Sequence, residues 1–171
     1  MLKSETKLKD LSSILNKDNN NLVNEAIGKL RDEQPFEGAI GLLTSFYDRT
    51  DDFGIRKTIE GFMNDIKDQS ACNEVIGEIR KPWKDETISM LVSSCWQSGL
   101  NYSEFSADFA HVFVKGDYIT AIECLTVIEE SASDMAMEVK DEIKRIVSDS
   151  TTAFTNEKKS LSDELYAILD R

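Results

Sequence analysis

The sequence predicts an all-α fold built from about five antiparallel helical hairpins. Three observations favour this class. The segment Asp51–Lys67 has the apolar spacing of a capped amphipathic helix, and weaker copies recur about every 33 residues. No stretch shows the sustained period-two alternation of a surface strand. The 171 residues include only two prolines and eight glycines, as expected for long helices. A chain of this length is expected to form one domain, residues 1–171.

The clearest helix begins at Asp52. Its carboxylate is a preferred N-cap, because it accepts a hydrogen bond from a free backbone N–H of the first turn. The apolar residues that follow are three or four apart and share one helix face: Ile55, Ile59, Phe62, Met63 and Ile66. One helix cannot bury this face alone, so a neighbouring element must cover it.

The Asp52 pattern recurs along the chain. Apolar residues lie 3, 7 and 10 positions after Asp52, and also after Asn20, Asp85 and Tyr118. These four starting points are separated by 32, 33 and 33 residues. A regular period of this length is typical of repeat arrays in which each unit is a helical pair. An irregular helical bundle is the alternative.

The same spacing and the helix-end signals divide the whole chain into ten helices. Their predicted ranges are 4–17, 22–32, 35–47, 51–67, 70–80, 85–98, 103–114, 118–130, 134–147 and 152–169. The connections between them are short, which places successive helices side by side.

Several residues mark the predicted helix ends. Pro82 ends the fifth helix, Asp85 caps the sixth, and Gly99 follows the last turn of the sixth as a C-terminal glycine. Ser133 or Asp134 is expected to cap the ninth helix.

Two glycines fall inside the predicted third helix, for which Pro35 suits the first turn. Gly38 and Gly41 are poor helix formers, and we expect them to allow close approach of a neighbouring helix.

The net charge of −12 bears on the kind of partner. Nucleic acids and anionic membranes attract Lys and Arg, so an acidic chain disfavours both as partners. The nearest basic cluster is Arg80, Lys81 and Lys84, which we interpret as a solvated connector because two acids follow it.

Residues 101–134 carry a local net charge of −6, with seven acids against Lys115 alone. A clustered negative surface of this kind steers a basic partner toward it. General solubility of an acidic protein is the alternative interpretation.

Three cysteines, Cys72, Cys95 and Cys124, are odd in number and widely spaced. They are interpreted as buried, reduced thiols of a cytoplasmic protein. No apolar run approaches 18 residues, so no membrane span is expected, and no secretory leader is recognisable. A mature fragment whose leader was removed is the alternative.

One short motif connects the chain to a known family. Asp52-Phe53-Gly54-Ile55-Arg56 is similar to the D-x-x-V-R opening of the second helix of a HEAT unit, and the segment after Asp85 keeps its Asp and aliphatic residue without the Arg. In these features the chain resembles the HEAT/armadillo-like helical repeats. The resemblance implies a right-handed superhelical stack of helical hairpins, with the second helices lining a concave face that binds a partner.

The off-stripe residues of those second helices are then the candidate floor of the groove. They are Asn24, Arg56, Glu60, Ser89, Ser93, Gln97 and Glu123, with Met90 as an apolar contact. Trp83 and Tyr102 lie at connections and are candidate interface anchors, since Trp and Tyr dominate binding hot spots. For Trp83, packing over a hairpin end is an equal alternative. Arg56 either ties neighbouring units together or offers a positive group in an acidic groove.

The sequence indicates no cofactor and no metal site. Asp108 and His111 have the spacing of half a di-metal carboxylate site, but the chain contains one histidine, so an ordinary helix position is favoured. A Cys–His nucleophile would require His111 beside a thiol. No glycine-rich phosphate loop is present.

The sequence therefore predicts a non-catalytic protein–protein interaction scaffold whose partner is another protein with a basic surface. An enzyme or enzyme accessory with a site on the concave face is the alternative. A nucleic-acid binder ranks third because of the acidity.

Overall fold

The computed structural model describes residues 2–17, 19–33 and 36–171, which contain helices and no strand. The ten helices are α1 (Leu2–Leu15), α2 (Asn20–Asp32), α3 (Ala39–Arg49), α4 (Phe53–Asn64), α5 (Cys72–Ile79), α6 (Asp85–Ser98), α7 (Ser106–Lys115), α8 (Tyr118–Ser131), α9 (Met137–Ser148) and α10 (Asn156–Leu169). Short 3₁₀ turns precede α5, α7, α9 and α10. The all-α class is confirmed.

The helices contact one another in a regular order. Each odd helix packs on the even helix that follows it, and the even helices contact in the series α2–α4, α4–α6, α6–α8 and α8–α10. The odd helices pack as α1–α3, α3–α5 and α7–α9, whereas α5 and α7, both fully described, lack a comparable contact. One continuous hydrophobic core runs through both series.

The predicted period is visible in these contacts. Helices α2, α4, α6 and α8 begin within one residue of the four predicted starting points. Side-chain hydrogen bonds join residues 32 or 33 apart in successive hairpins, as in Asn20–Asp52, Asn64–Gln97 and Asn101–Asp134. The last hairpin departs from the spacing, because α10 begins 38 residues after Tyr118.

The local end signals of α4 and α6 are confirmed in part. The backbone N–H of Ile55 donates to Asp52 Oδ1 at 2.8 Å, and the apolar stripe of α4 is buried. Helix α4 ends at Asn64, three residues earlier than predicted. Gly99 follows α6 with φ of +70°, the left-handed conformation expected of a C-terminal glycine.

The start of the third helix was predicted too early. Helix α3 begins at Ala39, because Gly38 has φ of +90° and cannot continue a helix. A Cβ at Gly38 would lie 2.9 Å from Leu8 Cδ1, so this position is crowded as well as left-handed. Gly41 lies inside α3, and a Cβ there would be 2.9 Å from Glu78 Oε1, which confirms a close approach by α5. The predicted role of Pro35 falls outside the described residues.

The N-terminus of α6 is capped from another hairpin. Asp85 is its first helical residue and not its cap, and the N-cap residue Lys84 forms no side-chain cap. Asp48 of α3 performs this role, since its Oδ1 accepts from the Lys84 backbone N–H at 3.0 Å and the Thr87 hydroxyl at 2.8 Å.

In a reciprocal contact, the hairpin α5–α6 caps the N-terminus of α3. The N-terminus of α3 has no side-chain cap from Gly38. Glu74 of α5 supplies it, because its Oε1 accepts the backbone N–H groups of Gly38 at 3.0 Å and Gly41 at 3.2 Å. The hairpins α3–α4 and α5–α6 therefore complete each other's helix ends.

The C-terminal hairpin corrects two more predicted helix ends. Ser133 and Asp134 belong to a 3₁₀ turn, and α9 begins after Ala136. Helix α10 begins at Asn156 and not at Thr152, with Thr155 as its cap. No helix in the described ranges has both the length and the apolar character to cross a membrane.

Lys158 of α10 is buried and satisfies the end of α7. Its Nζ donates to the carbonyl oxygens of Val114 at 2.8 Å and Gly116 at 2.6 Å. It also lies 5.2 Å from the Phe154 ring centroid. Burial lowers the pKa of Lys158. This contact joins the last two hairpins.

Candidate functional site

A cavity of about 440 Å³ lies between α4, α6 and α8, and we refer to it as the acidic groove. Residues three or four apart along α6 form one continuous face of the groove: Asp85, Glu86, Ser89, Met90, Ser93 and Gln97. Helix α4 contributes Lys57, Glu60 and Asn64, and the start of α8 contributes Asp117, Ile119 and Glu123. Tyr47 of α3 completes the lining.

The predicted groove residues largely meet here. Glu60, Met90, Ser93, Gln97 and Glu123 all line the cavity, as does Ser89. Asn24 lies on α2, outside it. Met90 is buried, so it adds only a small apolar contact.

Sequence reasoning missed seven of the thirteen lining residues. The residues not proposed for the groove are Tyr47, Lys57, Asn64, Asp85, Glu86, Asp117 and Ile119. A usable signal existed for Ile119, which lies off the apolar stripe of α8 and is 63% exposed. An apolar side chain left outside a helix's buried face is a typical mark of a contact surface.

The groove carries a strong negative charge. Five of its thirteen lining residues are carboxylates and one is a lysine. Clefts with low-dielectric walls and charges of one sign concentrate the electrostatic field. The groove is therefore suited to attract cationic groups.

Two of the carboxylates are held in fixed positions. Glu60 accepts the Tyr47 hydroxyl at 2.9 Å and the Lys57 ammonium at 2.6 Å. Burial and the bond to Glu60 raise the pKa of Tyr47, so its hydroxyl stays a donor. Glu123 accepts the indole N–H of Trp96 at 2.6 Å.

The neutral side chains of the groove are also linked. Gln97 Oε1 accepts from Asn64 Nδ2 at 2.8 Å, and Gln97 Nε2 donates to the Ser93 hydroxyl at 2.8 Å. The first of these bonds joins α4 to α6, and the second lies within α6. The polar surface is thus organised before any partner binds.

Arg56 lies beside the groove and does not line it. Its Nη1 is 2.7 Å from Glu86 Oε2, its Nε donates to the Thr50 carbonyl at 2.8 Å, and its guanidinium is 4.9 Å from the Tyr47 ring centroid. Only 19% of its side chain is exposed. The hydrogen bond to Glu86 raises the pKa of Arg56. These contacts favour the role of tying neighbouring units over that of a free groove cation.

The two aromatic anchors are placed differently from expectation. Tyr102 is 2% exposed and packs edge-to-face on Phe109, with centroids 5.9 Å apart. The prediction that Tyr102 contacts a partner is therefore wrong, because neighbouring aromatics and the buried thiols of α5 and α6 enclose it. Trp83 is half-buried against the core, as the packing alternative predicted.

Histidine and cysteine chemistry is not assembled in this site. His111 is exposed in another cavity, and Asp108 binds Arg80 through two bonds of 2.7 and 2.9 Å. The three cysteines are buried free thiols, and burial raises the pKa of each. Within the ranges that the structure covers, no three His, Cys, Asp or Glu side chains are grouped to hold a metal.

No family model, curated protein or solved structure matches this chain. The resemblance to HEAT/armadillo-like repeats stays a prediction from the sequence.

Proposed function

We propose that this chain is a non-catalytic interaction scaffold of the HEAT/armadillo-like class, and that its acidic groove binds a basic segment of another protein. The hairpins would form a right-handed superhelical stack with α4, α6 and α8 on the concave face. The spacing of 32 or 33 residues between the partners of the inter-hairpin hydrogen bonds and the continuous series of even-helix contacts support this arrangement.

The observation that carries the proposal is the excess of carboxylates on the groove surface. Five acids face one lysine in a cavity that three successive even helices enclose. Charge complementarity of this kind increases the association rate and selects against acidic partners.

The groove is also organised in advance. Glu60 and Glu123 are held by Tyr47 and Trp96, so a partner does not have to immobilise them on binding. A fixed carboxylate matches the planar donor fork of Arg better than the point charge of Lys. The preferred partner is therefore an Arg-rich segment, with an apolar residue that contacts Ile119.

The experiment compares a groove variant with a matched surface variant. Glu60→Gln, Asp85→Asn and Glu123→Gln together remove three groove charges, while the amide oxygens can still accept the bonds from Tyr47 and Trp96. Glu138→Gln, Glu142→Gln and Glu157→Gln remove the same charge from exposed positions on α9 and α10. The probe is a synthetic peptide of alternating Arg and Leu, with binding measured by calorimetry at two salt concentrations.

We expect the groove variant to lose at least about ten-fold in affinity, because charge-assisted bonds contribute more than neutral ones. Its residual binding should depend less on salt. The surface variant should keep most of the affinity. Equal losses in the two variants would show that the peptide responds only to net charge and would refute the groove as the site.

A further inference from the structure

A second cavity, of about 660 Å³, lies between the α5–α6 connection, the start of α6 and helix α7. We refer to it as the basic cleft. The connection contributes Arg80, Lys81 and Pro82, and α7 contributes His111 and Lys115. It is separate from the acidic groove except for Asp85, which lines both cavities.

The cleft lies beyond the C-terminus of α5. Helix α5 has eight residues and ends at Ile79, whereas α7 has ten. Beyond Ile79 the chain continues through Pro82 into α6, which contributes Ile88 to the cleft. This is the place where the series of odd-helix contacts is interrupted.

The lining of the cleft has a small excess of cations, although the chain carries −12 overall. The cations Arg80, Lys81 and Lys115 line it against the acids Asp85 and Asp108. Lys81 Nζ binds Glu78 Oε1 at 2.6 Å and Arg80 binds Asp108, so Lys115 is the lining cation that has no ion pair among the described residues. Lys115 is also the one cation of the acidic segment 101–134, and it lies in this cavity.

Two of the basic side chains are unengaged. His111 and Lys115 are four residues apart and therefore share one face of α7. Both are exposed, and neither has a hydrogen bond or ion pair within the part of the chain that the structure describes. They are available to an external acceptor.

Arg80 is held in place on the other side. Its Nε and Nη2 bind Asp108 at 2.7 and 2.9 Å, which orients the guanidinium and leaves further N–H groups for a ligand. Ile88, Val112 and Pro82 supply apolar lining next to these groups. A mostly apolar wall with a few convergent polar groups is the usual composition of a small-molecule site, and the volume lies within the usual range of roughly 300–1,000 Å³.

We infer that the basic cleft binds a small organic phosphate. The phosphate group would contact Lys115, His111 and Arg80, and the apolar body would lie against Ile88, Val112 and Pro82. Donors from two separate elements suit the three terminal oxygens of a phosphate better than the two of a carboxylate. The proposed phosphate ligands Arg80, His111 and Lys115 do not line the proposed partner groove, and the two cavities share Asp85.

The single histidine provides a direct reporter. Because the chain contains one imidazole, its proton NMR signals arise from His111 alone. Phenyl phosphate is the probe, with phenol and inorganic phosphate as its two halves. We expect a saturable shift of the His111 signals with phenyl phosphate, and at least about ten-fold weaker binding of either half.

Three variants complete the test. Lys115→Gln should weaken phenyl phosphate binding about ten-fold, while Lys159→Gln, on the exposed face of α10, should leave it unchanged. Asp85→Asn removes a repulsive charge from the cleft and should tighten binding, although the same change weakens a basic partner in the groove.

Each result has a defined meaning. No saturable shift up to about 10 mM phenyl phosphate would overturn the inference. If phenol binds as tightly as phenyl phosphate, the cleft has no anion-binding site. If inorganic phosphate binds as tightly as phenyl phosphate, the apolar lining does not contribute to binding. Equal effects of Lys115→Gln and Lys159→Gln would also overturn the inference. None of these outcomes depends on whether the Arg-rich peptide binds the groove.

Discussion

Arg56 Nη1 lies 2.7 Å from Glu86 Oε2, so a guanidinium on α4 binds the first turn of α6 in the next hairpin. The same side chain donates to the Thr50 carbonyl and covers the face of Tyr47. One residue thus connects three elements at the edge of the acidic groove. Arg56 accordingly joins the hairpin α3–α4 to the hairpin α5–α6.

Replacing Arg56 with Met should destabilise the protein by about 1–3 kcal/mol, because the bond to Thr50 and the contact with the Tyr47 ring are lost. The ion pair itself contributes little, since Glu86 is largely exposed. Urea denaturation measures the change. Arg145→Met, at an exposed position on α9, is the control and should shift stability by less than about 0.5 kcal/mol. Similar losses of stability in both variants would contradict the role of Arg56 in joining the two hairpins.

Glu74 should make stability depend on pH in a defined direction. Burial raises the pKa of Glu74 above its ordinary value of 4.5, although the bonds from Gly41 and Gly38 oppose this. Between the ordinary and the raised pKa the folded state binds the proton more tightly, so the free energy of unfolding falls as pH rises through that window. Glu74→Gln removes this loss and keeps an oxygen that accepts both N–H groups. Its stability relative to wild type should therefore increase from pH 4 to pH 7.

Comparing Glu74→Ala with Glu74→Gln distinguishes the capping hydrogen bonds of Glu74 from the effect of its charge. It leaves the N–H groups of Gly38 and Gly41 without their acceptor, so we expect a loss of about 1–2 kcal/mol at pH 7. Urea denaturation of both variants at the two pH values gives the result. A Gln variant that loses stability relative to wild type as pH rises would contradict the expected direction of the pH dependence.

Lys158→Met should destabilise the last two hairpins by about 1–3 kcal/mol, because the carbonyls at the C-terminal end of α7 lose two partly buried hydrogen bonds. Thermal and urea unfolding measure the effect. Lys159→Met is the matched control on the exposed side of the same helix. Equal stability of the two variants would show that water replaces the lysine at no cost.

The three thiols should be inert in the folded protein. Cys72, Cys95 and Cys124 are buried, and burial raises the pKa of each, which lowers the thiolate fraction that reacts. Titration with Ellman's reagent should detect no fast-reacting thiol without denaturant and three thiols in guanidinium chloride. A rapidly reacting thiol in the native protein would contradict this packing.

Sequence patterns within single helices correctly predicted the structural features that residues close in the sequence determine. Asp52 begins its helix because its cap lies within four residues. The 33-residue spacing relates Glu60 of α4 to Ser93 of α6, and both line one groove with Glu123 of α8. Tyr102 could not be placed in this way, since its burial among Phe109, Cys95 and Cys72 depends on how α5, α6 and α7 pack together.

The place of the basic cluster at Arg80 in a cavity also could not be predicted from the sequence. Within its own segment it is typical of a solvated connector, and its relation to His111 and Lys115 follows only from the short α5 and the missing contact between α5 and α7. Charges that belong to one cavity were separated by about thirty residues of sequence.

The hairpins α3–α4 and α5–α6 each cap a helix of the other, which determines how much of the chain can be transplanted as one unit. Helix α3 takes its cap from Glu74, and α6 takes its cap from Asp48. A protein engineer who deletes, duplicates or transplants either hairpin alone would leave one helix start without its acceptor in each product. The exchangeable module of this chain is therefore the four-helix block from α3 to α6, twice the length of the repeat that its sequence displays.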